Sequence, residues 1–225
     1  MVDGVEYAER KYMGTRGIND YMKTMYPNTY ATITEITEDM LPEDTSDVTT
    51  FYGFYRNCSK LISPPFLDTR NGTIFQAMYR ECSSATSLPN VNTSKGTNFY
   101  VMYYHCKLVT EFPQLDTSKG TNFQAMYQLC SSATTFPQID TSNGTIFQQM
   151  YSGCSKATKV SEIDFSKATN NQLAGLTLTN MLSGCSSLRS ITFNNLPIGT
   201  TEETLRSKCS IPSTVTEIIM NFREE

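Results

Sequence analysis

Asp116-Thr-Ser-Lys-Gly-Thr-Asn-Phe-Gln-Ala-Met-Tyr-Gln-Leu-Cys130 decides how the rest of the chain is read, because it returns almost unchanged on both sides. Asp68-Thr-Arg-Asn-Gly-Thr-Ile-Phe-Gln-Ala-Met-Tyr-Arg-Glu-Cys82 precedes it and Asp140-Thr-Ser-Asn-Gly-Thr-Ile-Phe-Gln-Gln-Met-Tyr-Ser-Gly-Cys154 follows it. A divergent copy, Asn92 to Cys106, lies between the first two, and degenerate copies end at Cys58, Cys185 and Cys209. Cysteine therefore recurs every 24 residues, except for one interval of 31 between Cys154 and Cys185. A fixed period of this length marks a stacked repeat, in which each unit buries its apolar side against its neighbours.

Phe123, Met126, Tyr127 and Cys130 fall at i, i+3, i+4 and i+7, which predicts a short helix with these four side chains on its inward face. Thr121 with Gln124 has the spacing of a capping box, and Thr73 with Gln76 and Thr145 with Gln148 repeat it, whereas Thr97 is followed by Tyr100. Gly72, Gly96, Gly120 and Gly144 precede the cap and predict a turn with positive φ. After the cysteine the apolar residues are three apart, as in Ala133, Phe136 and Ile139 or Val109, Phe112 and Leu115, so a very short extended piece is expected. Pro65, Pro89, Pro113 and Pro137 cannot donate to a parallel ladder and should confine pairing there to two or three residues. Asp44, Asp68, Asn92, Asp116, Asp140 and Asp164 read as turn residues whose side chains cap backbone N–H groups.

The motif Thr-Asn-Phe-x-x-Met-Tyr-x-x-Cys-Ser-Ser-Ala-Thr at Thr121 to Thr134 resembles the repeat of the bacterial BspA-like leucine-rich-repeat family, as does Asn180-Met-Leu-Ser-Gly-Cys-Ser-Ser-Leu-Arg-Ser-Ile191. The match covers about Thr45 to Ile219. Ala at 85, 133 and 157 replaces the family's usual Leu, and Pro follows Leu88, Phe112 and Phe136. The resemblance implies an α/β repeat solenoid, a leucine-rich-repeat-like stack of about seven short strand-turn-helix rungs, and the residues ahead of the repeats add a small N-terminal β element. It also implies surface attachment or host interaction.

The expected organisation is an attachment or capping segment over 1–31, the solenoid over 32–219 and a tail over 220–225. Val5 to Gly14 reads as a strand-turn pair, weakly similar to β-motifs that open some tail proteins of phages infecting Gram-positive bacteria. Ile33 and Ile36 in Thr32 to Thr37 suggest a first strand, and Val215, Ile218 and Ile219 a closing one. The longer cysteine interval adds seven residues around Asn170 to Leu176, expected to form a bulging loop or a longer helix. Such insertions map to one face of a repeat array, often the binding face.

Composition narrows the function. With a net charge of -4 and no Lys or Arg block, the footprint of a nucleic-acid binder is missing. No run approaches the roughly 20 apolar residues of a membrane span, and Glu6, Glu9, Lys11, Arg16 and Asp20 interrupt any signal-peptide core. No catalytic residue, metal ligand or cofactor is expected. His105 is the single histidine and no Cys-x-x-Cys spacing occurs. The seven cysteines read as a buried ladder of small apolar side chains, although neighbouring rungs about 4.8 Å apart are close enough for oxidation. The column Tyr55, Tyr79, Tyr103, Tyr127 and Tyr151 reads as core packing with partly exposed hydroxyls. Asn57-Cys-Ser, Asn71-Gly-Thr, Asn92-Thr-Ser and Asn143-Gly-Thr fit the glycosylation pattern but are read as turn chemistry.

What remains is a surface. Ser63, Ser87, Glu111, Thr135 and Lys159, with Pro65, Pro89, Pro113 and Pro137, vary from rung to rung between uniform core positions and form the candidate contact surface. The expected function is non-catalytic recognition or structure, with a protein or glycan partner or neighbouring virion subunits. The expected setting is a virion, as a phage surface or tail component, or alternatively a bacterial cell surface, as an adhesin.

Overall fold

The computed structural model describes residue 17 and residues 19–224. The strand-turn pair expected at Val5 to Gly14 lies outside them. The regular elements are helix α1 (Tyr21–Met25), a 3-10 turn (Glu38–Met40), strand β1 (Ile163–Asp164), strand β2 (Ser190–Leu196), helix α2 (Glu202–Cys209) and strand β3 (Glu217–Phe222). The strands form one parallel sheet in the order β1-β2-β3.

This corrects the expected stack of strand-turn-helix rungs. Among the described residues there are two α-helices, and neither lies in a repeat between Cys58 and Cys154. The reason is visible in the backbone of Phe123 to Cys130. The N–H groups of Phe123, Ala125, Tyr127 and Leu129 leave their own repeat and donate to the carbonyls of Ile146, Gln148, Met150 and Ser152 at 2.8, 2.8, 2.9 and 2.8 Å. Only Met126, Gln128 and Cys130 keep local bonds, each to the carbonyl three residues back. An α-helix needs every N–H to reach i−4, so half of its ladder has been spent between repeats. Left-handed residues at every fourth position, Ala125 (φ 51) and Leu129 (φ 62), turn those N–H groups outwards. The same pair recurs at Gly53 and Asn57, Ala77 and Glu81, Val101 and His105, and Gln149 and Gly153.

Successive repeats consequently lie side by side in parallel register. Thr50, Ile74, Asn98, Asn122, Ile146 and Thr177 form a chain of isolated bridges, the last step absorbing the longer interval. The inward stripe is as the periodicity requires, with Phe123, Met126, Tyr127 and Cys130 fully buried. Phe51, Phe75, Phe99, Phe123 and Phe147 stack with centroids 5.7–5.9 Å apart and rings within 8° of parallel. Each such contact contributes about 0.5–1.5 kcal/mol beyond the burial of its area.

The capping boxes do not form. Thr121 sends both its N–H (2.9 Å) and its hydroxyl (3.2 Å) to the Thr97 carbonyl of the preceding repeat, and the Gln124 N–H bonds Asn122 Oδ1. The glycines before the cap also have a different cause. Gly72, Gly96, Gly120 and Gly144 do not take positive φ. A Cβ at Gly120 would lie 2.5 Å from Phe123 Cζ and 2.9 Å from the Thr117 carbonyl, so the requirement is for space beneath the ring.

On the proline side, Gln114 and Gln138 replace backbone pairing with their side chains. The amide of Gln114 reaches the Gln138 carbonyl, and Gln138 exchanges bonds with Glu162. Thr32 to Thr37 is not a strand, although the Ile62 N–H still reaches the Thr34 carbonyl at 3.3 Å. The closing strand is present as β3, and the insertion is an exposed loop tied by Asn170, whose Oδ1 accepts from Gln172 and Ala174.

Candidate recognition surface

The nine candidate contact residues lie in two adjacent columns. Ser63, Ser87, Glu111, Thr135 and Lys159 are exposed, and Pro65, Pro89, Pro113 and Pro137 are half-buried beside them. Backbone bonds from Thr86 to Ile62 and from Thr158 to Thr134 hold the repeats at fixed separation, and Ser63 Oγ lies 3.3 Å from Ser87 Oγ. Glu111, Phe112, Thr135, Phe136 and Pro137 enclose a shallow depression of about 220 Å³. Its floor is aromatic and its rim carries a carboxylate and a hydroxyl.

Two members of this surface escaped the sequence reading. Ile62 is 53% exposed and Phe66 67% exposed. They stand where the following repeats carry Thr86, Thr110, Thr134 and Thr158, and Asn90, Gln114, Gln138 and Glu162. That break from polar to apolar was the available signal.

The remaining candidates are absorbed by structure. Each thiol of Cys82, Cys106, Cys130, Cys154 and Cys185 donates to the carbonyl of the tyrosine 27 or 34 residues earlier, at 3.0–3.2 Å. All seven cysteines are free and buried. Burial pushes the Cys58 and Cys185 thiols up to about 12 and raises the other five as well. A nucleophilic cysteine needs the opposite shift.

The tyrosine column is buried throughout, which corrects the expectation of partly exposed hydroxyls. Tyr55 donates to the Pro65 carbonyl and Tyr151 to Ser161 Oγ, but the hydroxyls of Tyr79, Tyr103 and Tyr127 have no partner. Ser161 occupies the place held by proline in earlier repeats, and its hydroxyl both receives Tyr151 and donates to the Pro137 carbonyl. The Asp and Asn column forms the expected turns, each Oδ1 accepting the N–H two residues on. The Ser46 N–H holds the Asp44 carboxyl below its ordinary value, the Arg70 side chain that of Asp68, and the Ser118 hydroxyl that of Asp116.

His105 is half-buried, with Nδ1 2.5 Å from Glu81 Oε2 of the preceding repeat, beside Arg80 stacked over Tyr104 at 5.2 Å. Among the described residues no group of three or more His, Cys, Asp or Glu side chains could hold a metal ion. No described helix is long and apolar enough to cross a membrane. Three further clefts, of about 300, 430 and 400 Å³, gather where the insertion meets α2 and the turn after β2.

Two overlapping stretches, residues 20–135 and 73–190, match the family described as "Mycoplasma protein of unknown function, DUF285". The chain belongs to the DUF285 family. This is a BspA-like repeat-containing family, so the resemblance carried by the cysteine repeats is real at that level. The matched stretches of the DUF285 chain end at 190, where β2 begins, and leave α2 and β3 beyond them. No curated protein and no solved structure matches it.

Proposed function

We propose that the chain is a non-catalytic recognition protein, which binds a protein or glycan through the column Ser63, Ser87, Glu111, Thr135 and Lys159 and its flanking prolines. The observation that carries this reading is the contrast between two kinds of column. Buried positions largely repeat the same residue through the stack, whereas these five exposed positions pass from two serines through Glu and Thr to Lys, changing in charge and hydrogen-bonding capacity on an equally regular frame. A rigid frame with variable decoration is how repeat proteins generate binding surfaces. Ile62 and Phe66 supply an apolar anchor at one end, and the depression at Phe112 and Phe136 supplies a second.

Membership of a BspA-like family favours a cell-surface adhesin over a virion component. The test is binding of the purified chain to a glycan array and to host cells, with Phe66→Ser and the charge-reversed pair Glu111→Lys, Lys159→Glu as controls. Binding reduced at least tenfold by these changes supports the reading. Unchanged binding moves the contact elsewhere, and mass-spectrometric detection of the chain in purified phage particles would restore the virion setting.

A further inference from the structure

We infer that β3 is a self-pairing edge, through which two copies of this chain join antiparallel into one six-stranded sheet. β3 bonds β2 on one side, and among the described residues nothing pairs with its other side. An edge strand presents a row of free N–H and C=O groups, and monomeric proteins blunt such rows with proline, charged side chains or bulges. Here the irregularity falls on β2, where Phe193 to Leu196 spans three steps against the two from Met220 to Phe222. Glu217-Ile-Ile-Met-Asn-Phe222 contains no proline or lysine; Ile219 and Phe222 are exposed, at 42% and 46%, and Ile218 and Met220 are half-buried against the core.

The occupant is specified by the strand itself. In an antiparallel pair centred on Met220, Ile218 faces Phe222 of the second copy and Met220 faces Met220, which joins the two half-covered apolar strips. The same register sets Glu217 level with Arg223 of the second copy at both ends. Arg223 is half-buried and gives one guanidinium nitrogen to the Ala168 carbonyl. Shifting the pair by one residue would put Glu217 opposite Phe222 and lose both matches. Two-fold closure also uses up the edge, so assembly stops at two.

Sedimentation of the purified chain over a concentration series tests this, together with the variant Met220→Cys under an added oxidant. The expected result is a dimer in the wild type, a monomer that still unfolds in one cooperative transition for Phe222→Lys, and a covalent dimer for Met220→Cys, since the native thiols are buried. A wild type that stays monomeric, a dimer that survives Phe222→Lys, an open-ended polymer, or a Met220→Cys chain that does not cross-link would each overturn the proposal. The cross-link remains informative if Phe222→Lys fails to fold.

Discussion

At the scale of single residues, the three partnerless tyrosine hydroxyls are the clearest departure from ordinary core chemistry. A buried hydroxyl without a partner costs about 1–3 kcal/mol in desolvation, whereas a satisfied one contributes about 1 kcal/mol. Tyr103→Phe or Tyr127→Phe should therefore leave stability unchanged or raise it, and Tyr151→Phe should lower it by about 1 kcal/mol. Urea titration of the three variants checks this, and equal losses at all three sites would contradict the assignment of Ser161 as the partner of Tyr151. Met126→Asp probes the stripe itself, because it places an unpaired charge at a fully buried position. A cooperative loss of several kcal/mol is expected, and an unshifted thermal transition would show that the side chain does not face inwards.

At the scale of the element, the turn segment explains which parts of the fold were legible. The period, the inward stripe and the Asx turns followed from the repeats, since each depends on side-chain chemistry that recurs in register. The backbone did not. Apolar residues at i, i+3, i+4 and i+7 fit a helix and equally fit a segment with a left-handed residue at every fourth position that sends every second N–H to the next repeat. The clue lay at the left-handed positions, where Gly53 stands in line with Ala77, Val101, Ala125 and Gln149, and Asn57 and Gly153 with Glu81, His105 and Leu129, residues that gave no such signal. The contact surface was legible in its columns but not at Ile62 and Phe66, where one repeat differs from the rest.

The two backbones make opposite predictions for one substitution. In a helix Ala125→Gly would cost about 0.5–1 kcal/mol. At φ 51 it should cost little or stabilise, because a left-handed L-residue carries a penalty of roughly 1–2 kcal/mol that glycine escapes. Gly120→Ala should instead cost about 1–3 kcal/mol, because its Cβ enters the space under Phe123. Guanidinium denaturation of the pair distinguishes the cases, and a loss at Ala125→Gly comparable to that at Gly120→Ala would restore the helix.

At the scale of the whole molecule, the buried thiols link stability to pH. Their folded pKa values are raised, so the folded state holds the proton more tightly than the unfolded chain, whose thiols ionise near about 8.5. The contribution of the ladder is fully present below that value. It is lost as the pH climbs from there towards the value of about 12 reached by Cys58 and Cys185. The urea midpoint should accordingly fall between pH 8 and pH 10, in step with uptake of a thiol-alkylating reagent. A midpoint that stays level across this interval would mean that the thiols are not held in the core.

The ladder between repeats also has a direction. At each of the five junctions from Phe51 to Ser183, four N–H groups point forward along the stack. The junctions opened by Phe75, Phe99 and Phe147 carry one backward bond each, from Thr97, Thr121 and Thr177, and those opened by Phe51 and Phe123 carry three and four, so forward bonds prevail over the stack as a whole. Aligned peptide dipoles add. In an α-helix the positive pole lies at the N-terminus, whereas here the forward N–H groups place it at the C-terminal end of the stack. The carbonyl of Cys209, the last residue of α2, accepts the Leu182 N–H at that pole at 3.0 Å. The closing helix thus turns its own negative end to the stack, so the two structures meet with their polarities opposed and neither end charge is left facing its like.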